Sequence, residues 1–158
     1  MIIHHKEDIK SYHIICQKKL KYLDDFSFIP IKIVRSTDKS DPGIFQTPLL
    51  FTPYGIQNQH NKTTIDLSFM NKDNDPLVES FYNTLLYIYD FIHTKYKDTY
   101  TVNPFMKHTM FNEMIRLKVN SRLLIFDQQK QPIDTIPPFS YGCFMMNLHG
   151  LWISDKDI

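Results

Sequence analysis

Arg116, Lys118 and Arg122 are spaced in a way that suggests polyanion binding. They lie in and just past MIRLKVNS, where Ile115, Leu117 and Val119 alternate with Arg116, Lys118 and Asn120. Successive side chains of a strand point to opposite faces, so Arg116 and Lys118 leave a sheet on one side. A phosphate chain lying across that side would meet each in turn. The wet side of a half-buried strand carries the same alternation. Aromatic residues are the second resource: Phe45, Phe51, Tyr54, Phe69, Phe126, Tyr141, Phe144 and Trp152 lie in or beside predicted strands. Rings next to cations form a platform for unstacked bases, worth about 1–3 kcal/mol per stacked base. Rings also fill cores, and the alternation assigns Phe69, Phe144 and Trp152 there. Tyr54 and Tyr141 each precede a glycine at a strand end, which places them for exposure. The candidate nucleic-acid-binding set is Arg116, Lys118, Arg122, Lys107, Tyr54 and Tyr141.

Other chemistry is thin. The sequence has no glycine-rich phosphate loop, no nucleophile elbow and no paired-cysteine zinc spacing. His4 and His5 are adjacent and would diverge on a helix; His60, His93, His108 and His149 fall in different elements. His149, inside an apolar run, reads as a buried, hydrogen-bonded histidine, and Asp24-Asp25 as a solvated turn. No catalytic residue, metal or cofactor is expected, and the reading is of a binding protein rather than an enzyme.

These residues need a scaffold. The chain has 158 residues, enough for one domain with a core, and its 42% hydrophobic and 14% aromatic content is too high for a disordered chain. No run of eighteen apolar residues predicts a membrane span, and the start shows no secretory pattern. Cys16 and Cys143 follow no metal spacing and read as reduced thiols of a cytosolic protein. The net charge of +1 is unevenly laid out. Residues 1–35 carry seven cations against four anions, residues 64–100 three against six, and residues 103–130 five against two.

Ile9, Tyr12, Cys16, Leu20 and Leu23 recur at helical spacing and predict an N-terminal helix. FSFIPIKIVRS predicts a strand with a bulge or an edge position at Pro30, and TDKSDPG (37–43) a loop. FQTPLLFTPYGI (45–56) holds two prolines, which predicts an edge strand that buries Leu49 or Leu50, stops at Pro53 and turns at Tyr54-Gly55. TTIDLSFM (63–70) alternates as a half-buried strand. Asp75 and Pro76 then open a long helix whose stripe is Leu77, Phe81, Leu85, Ile88 and Ile92. LLIFD, the turn QQKQ and PIDTI read as a hairpin, and SYGCFMMNLHGLWI (140–153) as a last apolar strand region. Short strands around one helix predict a mostly β (α+β) barrel or sandwich rather than a doubly wound sheet.

Four segments carry a family resemblance: Gln46-Thr47-Pro48 with Pro53-Tyr54-Gly55; TTIDLSF; the helix followed by MIRLKVNSRLLIFD; and SYGCFMMNLHGLWI with its Leu-Trp pair. In order and spacing, over about residues 40 to 153, the chain resembles the single-stranded-DNA-binding-like proteins of large nucleocytoplasmic DNA viruses, which have an OB fold. The resemblance implies one OB-like domain over residues 1–158, as a barrel or open sandwich, with an N-terminal helical segment at 1–24 and a helix inserted at 76–97. It implies single-stranded DNA binding with little sequence preference, in viral DNA replication or genome handling, in the host cytoplasm (the viral factory) or the virion. That family usually adds a Gly-aromatic-basic strand after the tryptophan; here the sequence stops at Ile158. An open sheet edge is then expected, available for self-association or for a viral partner protein, with no membrane contact. The alternative function is a virion structural or assembly protein that uses the fold for protein contacts.

Overall fold

A computed structural model of the chain describes residues 1–35, 43–155 and 157–158. In chain order the elements are β1 (Ile2–His4), a 3-10 turn (Ile9–Ser11), β2 (Tyr12–Cys16), β3 (Leu20–Leu23), β4 (Phe26–Arg35), β5 (Ile44–Gln46), β6 (Leu50–Thr52), β7 (Ile56–Gln59), β8 (Lys62–Ser68), α1 (Pro76–Tyr96), β9 (Met106–Thr109), β10 (Asn112–Lys118), β11 (Ile125–Phe126), β12 (Pro132–Ile133), β13 (Ser140–Gly142), β14 (Met145–Met146) and β15 (Gly150–Ser154). The fold is mostly β with one long helix. Among the described residues the strands form four separate sheets and not one closed barrel. The predicted loop at 37–42 lies outside the described residues. The chain divides into two compact units, each assembled from separated segments.

The first unit comprises Met1–Thr47, Ser80–Pro104 and Phe144–Ile158. The expected N-terminal helix is not present; the segment holds β1, a 3-10 turn capped by Asp8, β2 and β3. The helical spacing of Ile9, Tyr12 and Cys16 is outweighed by pairing: Tyr12–Cys16 lies antiparallel along Arg35–Ile31, and the β-branched pair Ile14-Ile15 suits a pleated strand. β4 is the axis of this sheet, with β15 on one side and β3 then β2 on the other. Pro30 is tolerated inside it because it sits where β3 gives way to β2. Its missing N–H falls in that gap, and its carbonyl accepts from Gln17 N at 2.9 Å. The register irregularity lies instead in β3, between Lys21 and Leu23. A second sheet places β5 between a parallel β1 and an antiparallel β14. Ile3, Ile29, Ile31, Ile33, Phe45, Leu151 and Ile153 are buried in this unit. So are Phe81, Leu85, Ile88 and Ile92 of α1, and the Phe45 and Phe81 rings meet edge-on at 6.4 Å. A polar cluster closes one end: Glu7 accepts from the Tyr12 hydroxyl and from Arg35 Nη2 (2.6 Å), while Arg35 Nε also donates to the Tyr12 oxygen (3.2 Å).

The second unit comprises Pro48–Glu79 and Phe105–Cys143. Its main sheet runs β13–β6–β8–β10–β9, with β7 also on β8, and every pairing is antiparallel. β7 and β8 are joined by His60 and Asn61, both at positive φ, as a two-residue hairpin of the primed type requires. Leu50, Ile65, Leu67, Phe69 and Ile115 are buried along the inner side. β11 and β12 form the expected small hairpin, with Asp127 Oδ1 accepting from Gln129 N and Gln131 N. α1 starts here with Asp75 as its cap, Oδ1 accepting from Leu77 N at 2.9 Å. Leu77 is exposed and Val78 takes the buried position expected of it, which sets the stripe Val78, Phe81, Leu85, Ile88, Ile92.

FQTPLLFTPYGI is not one edge strand. It splits at Pro48 into β5 and β6, which belong to different sheets and are flanked by a strand on both sides. Leu50 is the buried leucine and Leu49 the exposed one. Pro53 ends β6, and Gly55 turns the chain at φ +62°, its N–H donating to the Thr52 hydroxyl at 3.1 Å. The last apolar run likewise divides into β13, β14 and β15 in three sheets. Trp152, expected in the core, is exposed while its neighbours Leu151 and Ile153 are buried, and His149 is exposed rather than buried. Within β15 the alternation holds in the opposite phase, whereas in β14 it holds as read, with Met146 buried and Met145 exposed. No helix among the described residues is long and apolar enough to cross a membrane.

Candidate nucleic-acid interface

The register of the second unit's sheet builds one continuous face. Lys107 stands opposite Met114, Met114 opposite Ser68, Ser68 opposite Phe51, and Phe51 opposite Tyr141. Directly opposed residues share a face, so this row crosses five strands from a cation at one edge to rings at the other; Met114, Ser68 and Phe51 in its middle are buried, and Lys107 and Tyr141 at its ends are exposed. Two further rows run beside it, Arg116 opposite Asp66, and Lys118 opposite Thr64 and Gln57. Arg116 and Lys118, two residues apart on β10, therefore share this face with Lys107, Phe51 and Tyr141. Arg122 lies past the end of β10, in a turn where its N–H donates to Asn120 Oδ1 at 2.9 Å, and strand register does not assign its side chain to the face.

Arg116 is held by a fork. Its Nε donates to Asp66 Oδ1 at 2.7 Å and its Nη2 to Oδ2 at 2.8 Å. Asp66 is 2% exposed and the arginine side chain 67%. The carboxylate thus lies beneath a guanidinium that faces water, with three of its five N–H donors unused by the fork. The hydrogen bonds to Asp66 raise the guanidinium pKa first, the carboxylate charge next, and Tyr54 adds a smaller contribution. Lys107, Arg116, Asp66, Met114, Thr109 and Phe105 line an open cleft of about 330 Å³ on this side.

A cluster of five rings completes the face. Phe51 is buried, with the rings of Tyr141, Phe111 and Phe139 at 5.1, 6.1 and 6.2 Å; Tyr54 meets Phe111 edge-on at 5.8 Å. Tyr54, Tyr141 and Phe139 are exposed, Phe139 at 70%. Phe111 sits in the β9–β10 turn, where Asn112 has φ +66° and the Ser68 hydroxyl donates to the Phe111 carbonyl at 2.6 Å. Phe139 follows Pro137-Pro138 and is itself at φ +56°, a conformation costly for a bulky side chain. It is kept there by its N–H to the Pro53 carbonyl (3.2 Å) and by the Ser140 hydroxyl on the Pro137 carbonyl (2.7 Å).

The face joins Arg116, Lys118, Lys107, Tyr54 and Tyr141 of the candidate set and adds Phe51, Phe111 and Phe139. Phe51 already stood among the aromatic supply. Phe111 and Phe139 lie in turns, where strand alternation does not reach; the prolines before Phe139 are the one local sign of a fixed ring. Among the described residues no three His, Cys, Asp or Glu side chains are grouped as metal ligands. No protein-family model, curated protein or solved structure matches the chain.

Proposed function

We propose that the chain binds single-stranded DNA with little sequence preference, using the second unit's sheet as the OB-like platform that the sequence resemblance implies. The observation that carries this reading is the cross-strand row from Lys107 to Tyr141, with Arg116 and Lys118 beside it and exposed rings at its far end. Cations spaced along a strand offer contacts to a phosphate backbone, and every base has a face that stacks on a ring, so the pairing tolerates any sequence. Viral genome handling, in the factory or the virion, is the setting that the resemblance implies.

Fluorescence anisotropy with a labelled single-stranded oligonucleotide tests the proposal. Binding at about micromolar protein is expected in low salt, weakening as salt rises. Phe139→Gly removes an exposed ring and relieves its positive φ. This variant should bind more weakly by roughly tenfold or more while its thermal midpoint stays level or rises. Absence of any salt-dependent binding, or full affinity in the Phe139→Gly variant combined with Tyr141→Ala, overturns the reading.

A further inference from the structure

The first unit carries a separate surface. Leu20 stands opposite Phe28, and Phe28 opposite Trp152, so the three share one face of the β3–β4–β15 sheet. The other face holds Ile29, Leu151 and Ile153, all buried. The Tyr22 ring meets Trp152 edge-on at 5.3 Å and Phe28 lies 4.8 Å from it; Leu23 and Phe26 pair at the hairpin end. Tyr22 is 68% exposed and Trp152 55%, and Leu20, Leu23 and Phe26 are exposed as well. A sheet with one face on a core normally turns polar residues to water. This one turns six large apolar side chains outward, the mark of an interaction surface. β15 ends the sheet order, and its GLWIS carries neither charge nor proline to discourage pairing along its edge.

The charges at the two ends of the patch choose the partner. Lys18 and Lys19 precede β3 near the end where Gly150 stands opposite Pro30. Asp24 and Asp25 form the β3–β4 turn at the other end, where Ser154 stands opposite Phe26 and Asp155 follows. All five are exposed, and Lys21 of β3 pairs with Asp24 at 3.5 Å in open solvent, which leaves that end net acidic through Asp25 and Asp155. An anionic membrane or a nucleic acid favours a patch of one sign. A patch basic at one end, apolar in the middle and acidic at the other is complementary to itself when turned by a two-fold axis. We propose that the face of Leu20, Tyr22, Phe28 and Trp152 is a homodimer interface, closed by a second copy of this chain with Lys18 and Lys19 of each copy opposite Asp24 and Asp25 of the other.

Sedimentation of the full chain without nucleic acid tests this apart from the DNA-binding reading. A concentration-dependent monomer–dimer equilibrium is expected. Trp152→Lys should weaken it by about 30-fold, the loss expected of a central aromatic anchor, with an unchanged circular dichroism spectrum. Should that variant misfold, the charge variants decide. Lys18→Glu with Lys19→Glu gives a chain acidic at both ends, and Asp24→Lys with Asp25→Lys gives one basic at both. Each should be largely monomeric alone, and their equal mixture should restore dimers. A chain monomeric at about 100 μM overturns the proposal, as does a monomer that floats with anionic vesicles. A dimer indifferent to Trp152→Lys, or no recovery on mixing the charge variants, overturns it too.

Discussion

Asp66 and Arg116 show how one pair serves both stability and the site. A carboxylate buried without its partner is costly, so Arg116→Ala should destabilise the chain by about 2 kcal/mol in urea titration. Adding Asp66→Asn to that variant should recover part of the loss, because the orphaned charge is gone. A second prediction belongs to Glu7. Its pKa is lowered from 4.5 to about 2, first by the Tyr12 hydroxyl, then by His4 N–H and Arg35. A depressed folded-state value means stability present above the unfolded value and lost as pH falls toward the folded one. Glu7→Gln should therefore be less stable than the native chain at pH 7, by about 1 kcal/mol given the solvent around the pair. Denaturation curves of the two should converge as pH drops from about 4.5 to about 2. At this scale the sequence was legible where a local rule applied: Tyr54 and Tyr141 precede glycines and are exposed. It misled where phase mattered. In the run ending GLWI either parity carries large apolar side chains, so Trp152 or its neighbours could be the buried set; only pairing with Phe28 decides.

At the scale of elements, the strongest expectations were those with a cap or a strict period. α1 begins at Asp75-Pro76 and β10 alternates as read, because cap chemistry and a period of two are local properties. The N-terminal helix failed because its spacing competed with a strand partner about twenty residues away. FQTPLLFTPYGI was legible in its turns and not in its pairing: Pro53 and Gly55 act locally, whereas three of the four strands that flank β5 and β6, namely β1, β14 and β13, come from distant segments. Gly55 also yields a prediction. A Cβ there would lie 2.2 Å from the Ile136 carbonyl oxygen, on a residue at φ +62°. Gly55→Ala should cost about 2–3 kcal/mol in thermal unfolding and disturb the 136–139 segment that presents Phe139.

For the whole molecule, a net charge of +1 conceals an uneven layout, with Lys107, Arg116 and Lys118 gathered on one sheet face, the cations that the proposed binding would use. Their number is measurable. Single-stranded binding falls with salt by a log–log slope of about 0.7 per phosphate contact, so Lys107→Ala and Lys118→Ala should each flatten the slope by about that amount. An unchanged slope in the double variant would remove both lysines from the interface. The long-range order of the first unit carries one more consequence. β4 is complete by Arg35, yet the strand that covers one of its flanks is Gly150–Ser154. A ribosome emitting this chain thus delivers three of the sheet's four strands more than a hundred residues before the fourth. Until then the nascent segment presents Ile29 and Phe28 along an unmatched border, and its escape from clumping depends on how quickly translation finishes, or on a chaperone that waits with it.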